Sequence, residues 1–270
     1  MLTSTGIGHV VEPGADGDTL WVDAAEHRRA ADQIGRYLRE NHARPAALLS
    51  WPRYRHAIWG VVAYAAVLMA VTGAALYRLG ERSWVDRGVL EIGLLERGEW
   101  WRAFTALTLH ADLGHLLANL AFGVLFAYPA AQFVGVGVAW LAILLGAGAA
   151  NAVDMVLHPP GHSILGASTA VFVALGLTSA FTWRRRAAAA LTWMQRFAPL
   201  VAGVALLAFT GSSGERTDLL AHLLGFVAGV AAGFVLAQLR LPAPGRAVPQ
   251  WLAGATALGL LTLAWVAALG

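Results

Sequence analysis

The chain is 270 residues long, 58% hydrophobic and 13% charged, with a mean hydropathy of +0.60. A soluble domain carries about 25% charged residues, so this composition excludes an ordinary soluble globular protein and points to a polytopic membrane protein. Net charge is +3, and all 19 basic residues are arginines, many at the ends of apolar runs and not gathered in one patch, which argues against a nucleic-acid partner. With no cysteine, the chain can form no disulfide, thiol nucleophile or Cys-ligated metal site.

Residues 1–55 are the soluble-looking part, expected to form an N-terminal cytosolic segment. Met1–Pro13 has neither a basic n-region nor an apolar h-region, so no signal peptide is expected. Gly14–Asp18 reads as loop and Leu20-Trp21-Val22 as a short strand. Asp23 is the expected N-cap of a helix running to His42 and ended by Pro45, with Ala30, Ile34 and Leu38 on one face.

Seven apolar stretches follow: Ala57–Tyr77, Leu113–Phe133, Val136–Leu157, Ala167–Trp183, Phe197–Gly211, Leu219–Leu239 and Trp251–Leu269. The fifth is short for a spanning helix, and its inner end reaches back into residues 187–195. Residues 241–250 read as a Pro-rich linker before the seventh. If the N-terminus is inside, 13 arginines fall on the cytosolic side, among them Arg53, Arg55 and Arg184–Arg186, and 6 on the other. That bias predicts a cytosolic N-terminus and an external C-terminus. Arginine in place of lysine, with this topology, suggests a bacterial inner membrane.

In that topology Ser168 and His222 both fall near the outer ends of their helices, as do His115 and Asn119. Polar groups at membrane depth are costly and face a protein interior or a water-filled cavity. A serine hydroxyl becomes a nucleophile when a base takes its proton, and histidine is the usual base. The developing oxyanion needs fixed donors. Backbone N–H groups at the start of the fourth helix would point there, and His115 and Asn119, four apart on one helix face, can add side-chain donors. Gly225, Gly229 and Gly233 form two overlapping G-x-x-x-G steps that let a neighbouring backbone come close.

These residues carry a resemblance that covers residues 51–240. Gly166-Ala167-Ser168-Thr169 is similar to the serine motif of the rhomboid intramembrane serine proteases, and Ala221–Gly229 to their Ala-His-x-x-Gly-x-x-x-Gly motif. His110, His115 and Asn119 match the family's second-helix pattern, and Trp101-Arg102 its first-loop Trp-Arg pair. The resemblance implies a Ser168–His222 dyad, an oxyanion site from His115, Asn119 and the Ser168 N–H, and structural roles near the site for His110, Gly166, Gly225 and Gly229.

The fold implied is an all-α polytopic membrane protein: a six-helix rhomboid core over residues 56–240, then a linker and a seventh transmembrane helix over 241–270. The activity implied is hydrolysis of peptide bonds in or near transmembrane segments of other membrane proteins. Such substrates would be helices that unwind readily, with a small residue before the scissile bond. The reading calls for no metal and no cofactor, for the lipid bilayer as environment, and for no nucleic acid.

Three departures stand against the family pattern. Thr169 occupies a position that is often glycine, and a β-branched side chain there threatens to crowd the start of the fourth helix. Phe172 replaces a frequent tyrosine stacked on the catalytic histidine. Ala131-Gln132-Phe133 replaces a common Glu-x-Arg. Two rival readings are a non-proteolytic rhomboid-like protein that binds transmembrane clients, and a small channel using His115, Asn119, Asp154 and His222 as a polar path. Asp218 and Asp112 read as helix caps, Asn151 and Asp154 as partners for backbone or loop groups, and His158 and His162, around Pro159-Pro160-Gly161, as exposed loop histidines.

Overall fold

A computed structural model describes residues 2–13, 18–41, 54–94, 97–158, 161–186, 192–211, 218–239 and 247–270. It divides into two units, residues 1–50 and 51–270.

In the first unit, strands β1 (His9–Glu12) and β2 (Thr19–Val22) pair antiparallel with Val10 opposite Trp21. Helix α1 (His27–Asn41) follows, and Leu2, Ile7 and Ala30 form a small core with Leu20, Val22 and Ile34. β1 was not expected, because four residues with both valines exposed carry no inward–outward alternation. The helix begins at His27, three residues later than an Asp23 cap requires. Asp23 first makes a turn, its carboxylate accepting from the Ala25 N–H at 3.3 Å and its carbonyl from the Glu26 N–H at 2.9 Å. Ala30 and Ile34 face the core as the periodicity requires, but Leu38 is exposed. Residues 14–17, His42 and Pro45 lie outside the described residues.

The second unit is built of helices α2 (Ala57–Leu76), α3 (Trp84–Gly88), α4 (Arg102–Thr105), α5 (Leu113–Val134), α6 (Val136–Leu157), α7 (Ser168–Arg186), α8 (Trp193–Gly211), α9 (Leu219–Gln238) and α10 (Ala247–Leu269). Among the described residues, α2, α5, α6, α9 and α10 are long and apolar enough to cross a membrane. The architecture is that of an all-α polytopic membrane protein. α7 is not one of the five. It packs against α5, α6, α8 and α9, Val171 to Leu177 are buried, and it ends on Arg184–Arg186. A helix enclosed by others presents little surface to lipid, so its composition is freed from lipid's demands. α8 starts at Trp193, four residues before the expected Phe197, and residues 187–191 lie outside the described residues.

α7 and α9 run parallel in the most extensive helix contact among the described residues. A methyl group built on Gly225 would stand 2.6 Å from the Thr169 carbonyl oxygen, one on Gly229 2.1 Å from that of Val173, and one on Gly233 2.3 Å from that of Leu177. α7 answers with Gly176, where a methyl would stand 2.2 Å from the Phe226 carbonyl. Each four-residue step on one helix meets a four-residue step on the other, which is how small residues let two backbones touch in an apolar medium.

The segment between α2 and α5 is held by Arg102, only 4% exposed. Its guanidinium donates to Glu99 Oε2 at 2.6 Å and to the carbonyls of Val89 and Asp86 at 2.5 and 2.9 Å. Thr105 Oγ1 donates to the Gly88 carbonyl at 2.8 Å. Strand β3 (Leu90–Glu91) pairs antiparallel with β4 (Ser163–Ile164), so the loop before α5 and the loop before α7 are joined.

α10 begins at Ala247, four residues into the expected linker, with Pro249 in its first turn, where a missing N–H costs nothing. Gln250 then staples the α5–α6 junction: its Nε2 donates to the Val134 carbonyl at 3.1 Å and its Oε1 accepts from the Val138 N–H at 3.1 Å. This junction turns on Gly135 at φ +93°, two residues after Ala131-Gln132-Phe133. At the other end, Trp265 Nε1 donates to Thr108 Oγ1 at 3.1 Å and Arg87 Nε to the Ala268 carbonyl at 2.9 Å.

Candidate active site

Ser168 opens α7 and is half-buried. The chain reaches it through Gly166, whose φ of +125° excludes most side chains. The Gly166 N–H donates to the Ala106 carbonyl at 2.9 Å, which ties this loop to the short helical segment before α5. A methyl on Gly166 would stand 2.6 Å from His115 Cε1 and 3.7 Å from Asn119 Nδ2. The glycine therefore lets the approach to Ser168 lie directly against both α5 side chains.

α5 starts at its Asp112 cap, where Oδ1 accepts from the His115 N–H at 2.8 Å. Asn119 is buried, and its Nδ2 has no hydrogen-bond partner among the described residues. Its backbone carbonyl accepts from Tyr64 of α2 at 2.9 Å, which holds the helix without engaging the amide. His110 packs edge-on against His115, ring centroids 5.2 Å apart. Burial, with the neighbouring His115, pushes the His110 imidazole down from 6.5 to about 4 against the opposing pull of the Thr108 backbone and the Asp112 carboxylate.

His222 stands in the first turn of α9 and is buried. Its ring lies 4.4 Å from that of Phe172, tilted by 37°. Ser168 and Phe172 are four apart on α7 and share a face, so the imidazole packs on the helix face that carries the serine. The Gly225–Thr169 contact sets the same level independently, since His222 is three residues before Gly225 and Ser168 one before Thr169. Ser168, His222, His115 and Asn119 are thus gathered at one end of the bundle, with His110, Gly166, Gly225 and Gly229 around them. Thr169, expected to crowd the helix start, is fully buried with its Cγ2 and carbonyl against Gly225; the glycine supplies the room.

One grouping at this end was missed. Asp218 caps α9, Oδ1 accepting from the Ala221 N–H at 2.9 Å, as expected. Its Oδ2, however, lies 2.5 Å from His162 Nε2 and 3.9 Å from His158 Nε2. His158 and His162 stack at 3.9 Å instead of standing apart as exposed loop residues. Burial works to raise the Asp218 carboxyl, but the Ala221 N–H and the two imidazoles outweigh it and hold it below its ordinary value. Asn151 fills its expected role, donating to the Ala103 carbonyl at 3.0 Å. Asp154 fills its role too, its carboxylate meeting the loop imidazole of His158 at 3.2 Å. The His-x-x-x-His spacing of His158 and His162 was the available signal; the arrival of Asp218, 56 residues on, had none.

The Rhomboid domain family matches residues 97–239, more than half of the chain. YdcA of Bacillus subtilis, whose name places it among the rhomboid proteases, is 30% identical over 142 residues, covering 52% of this chain and 69% of its own. Rhomboid-like protease 3 of Toxoplasma gondii is 28% identical over 193 residues, covering 68% and 69%. Rhomboid-like protease 2 of the same organism is 32% identical over 152 residues, covering 53% and 50%. With four polar side chains drawn to one end of an apolar bundle and a domain match across that bundle, this chain belongs to the rhomboid family.

Proposed function

We propose that the protein is an intramembrane serine endopeptidase that cleaves peptide bonds in or near transmembrane segments of other membrane proteins. The observation that carries this reading is the packing of the His222 ring on Phe172, on the face of α7 that begins with Ser168. His222 takes the proton from Ser168 Oγ as the oxygen attacks the substrate carbonyl carbon. The charge that develops on the carbonyl oxygen is met by Asn119 Nδ2, His115 and the Ser168 N–H, donors fixed before the substrate arrives. Collapse of the tetrahedral intermediate breaks the C–N bond, and His222 returns its proton to the leaving amine. A water activated by the same imidazole then hydrolyses the ester on Ser168.

Asn119 supports the oxyanion role, because a buried amide with an unused donor is costly in the resting protein and gains its partner when charge develops beside it. His110 acts as a positioning residue against His115. The N-terminus is cytosolic, the C-terminus external, and the membrane a bacterial inner membrane, by the arginine bias. The substrates are transmembrane helices that unwind readily, with a small residue before the scissile bond. A fluorophosphonate probe tests the reading: labelling of the wild-type protein, lost in both Ser168→Ala and His222→Ala, is the expected result. Equal labelling of wild type and Ser168→Ala overturns it, and the absence of labelling from a folded wild type favours a client-binding protein without activity.

A further inference from the structure

Asp154 is fully buried near the end of α6, and neither carboxylate oxygen accepts a hydrogen bond among the described residues. His158 Nδ1 stands 3.2 Å from Oδ2. A carboxylate removed from water without donors is costly unless a charge compensates it. A second carboxylate, Asp218, reaches the same point from the start of α9. Between the two acids lie the stacked rings of His158 and His162, 21% and 29% exposed. One donor atom from each of the four residues falls within 4.8 Å of the others.

Hydrogen bonding alone leaves this group poorly matched. With both carboxylates ionised, balance by hydrogen bonding asks for two charged imidazoles, and parallel rings 3.9 Å apart bring those like charges together. A single divalent cation balances both carboxylates while the imidazoles stay neutral, the form in which they ligate. Two nitrogens and two carboxylate oxygens suit zinc and its first-row neighbours, and suit magnesium poorly. Donors on a tetrahedral ion at about 2.0–2.1 Å stand roughly 3.4 Å apart, so closure asks for inward movement of about an ångström and for the two stacked rings to turn out of parallel, since each nitrogen ligates in its own ring plane. His158, His162 and Asp218 also line an open recess with Leu219, Leu220 and Leu223, which gives an ion a way in.

We propose that Asp154, His158, His162 and Asp218 form a binding site for a divalent transition-metal ion that clamps the end of α6, the α6–α7 loop and the first turn of α9. Asp218 serves it with one oxygen while the other caps the helix that carries His222. The ion thereby fixes the start of α9 from outside the hydrolytic site, and it takes no part in the chemistry there.

The test uses the full chain purified in detergent without a histidine tag, stripped with EDTA and titrated with zinc chloride by calorimetry. One zinc per chain is expected, with a rise in melting temperature and no response to magnesium chloride. His162→Ala and Asp154→Asn should each weaken zinc binding by at least about ten-fold and abolish the rise. Ser168→Ala should bind zinc as the wild type does, which separates this site from the proposed proteolysis. Failure of the wild type to take up zinc overturns the proposal, as does wild-type zinc affinity in His162→Ala, the more exposed position and the one that decides if Asp154→Asn does not fold. Magnesium binding as tight as zinc overturns the assignment to a transition metal.

Discussion

The ring of Phe172 lies 4.4 Å from the ring of His222 at a tilt of 37°, and both side chains are buried. A tyrosine often stands at this position in the family, and here the packing surface is kept without its hydroxyl. Such ring pairs contribute about 0.5–1.5 kcal/mol beyond the area they bury. Phe172→Leu, which keeps apolar bulk but loses the flat face, is expected to lower kcat by roughly 2- to 12-fold, and Phe172→Tyr to leave it near wild type. Turnover per probe-labelled molecule is the measurement. An unchanged kcat in Phe172→Leu means the ring does not hold the imidazole.

Asn119→Ala separates an oxyanion donor from a structural amide. Removing one such donor costs about 2.7–4 kcal/mol, or 10²–10³ in kcat, and the loss falls on kcat more than on substrate binding. Among the described residues the amide nitrogen makes no hydrogen bond, so the melting temperature should hold or rise. A destabilised variant with wild-type turnover per folded molecule removes Asn119 from the site.

Gly229→Ala tests the α7–α9 contact. Its methyl would fall 2.1 Å from the Val173 carbonyl oxygen, and a backbone atom cannot rotate aside. The expected cost is about 1–3 kcal/mol of stability, as for other overpacked interiors, with cleavage falling in step as His222 shifts relative to Ser168. Gly259→Ala is the control, since among the described residues nothing beyond its own helix backbone and chain neighbours lies within 4 Å of the methyl it adds. Equal melting temperatures for the two variants would contradict the close approach.

His110 gives a pH dependence whose sign is fixed by its environment. The folded protein holds the imidazole neutral down to about pH 4, whereas the unfolded chain protonates it near 6.5. Between those limits the unfolded state binds the extra proton, so stability falls as pH falls through the window and levels off below it. Melting temperatures in detergent across the window should decline less steeply in His110→Gln than in the wild type. Identical slopes would show that His110 titrates freely.

The residues gathered around Ser168 were legible because each sits in a short local pattern: a glycine two before the serine, glycines every four after the histidine, a histidine and asparagine one turn apart. The positions of the apolar helices were legible for the same reason, since composition over twenty residues is a strong signal. What escaped notice is non-local. Two-residue strands such as Leu90–Glu91 and Ser163–Ile164 carry no periodicity, and their pairing spans more than seventy residues. Asp154 and Asp218 meet only because α6 and α9 end and begin at the same level, which no spacing in the chain encodes. The start of α10 was hidden by Pro249, which reads as a breaker until its place in a first turn is known. Thr169 was misjudged as an obstacle because its compensating partner, Gly225, lies on another helix.

The indole of Trp265 reaches back across 157 residues of sequence to the hydroxyl of Thr108. Ribosomes elongate at about 5–20 residues per second, so that hydroxyl waits roughly 8–30 s for its donor. The segment leading into α5, with His110 and His115 just beyond it, therefore finishes its packing late in synthesis, after both Ser168 and His222 have been made. A nascent chain interrupted between residues 222 and 265 would hold the serine and the histidine without this fastening. The order of translation itself thus delays this fastening of the segment before α5 until α10 has arrived.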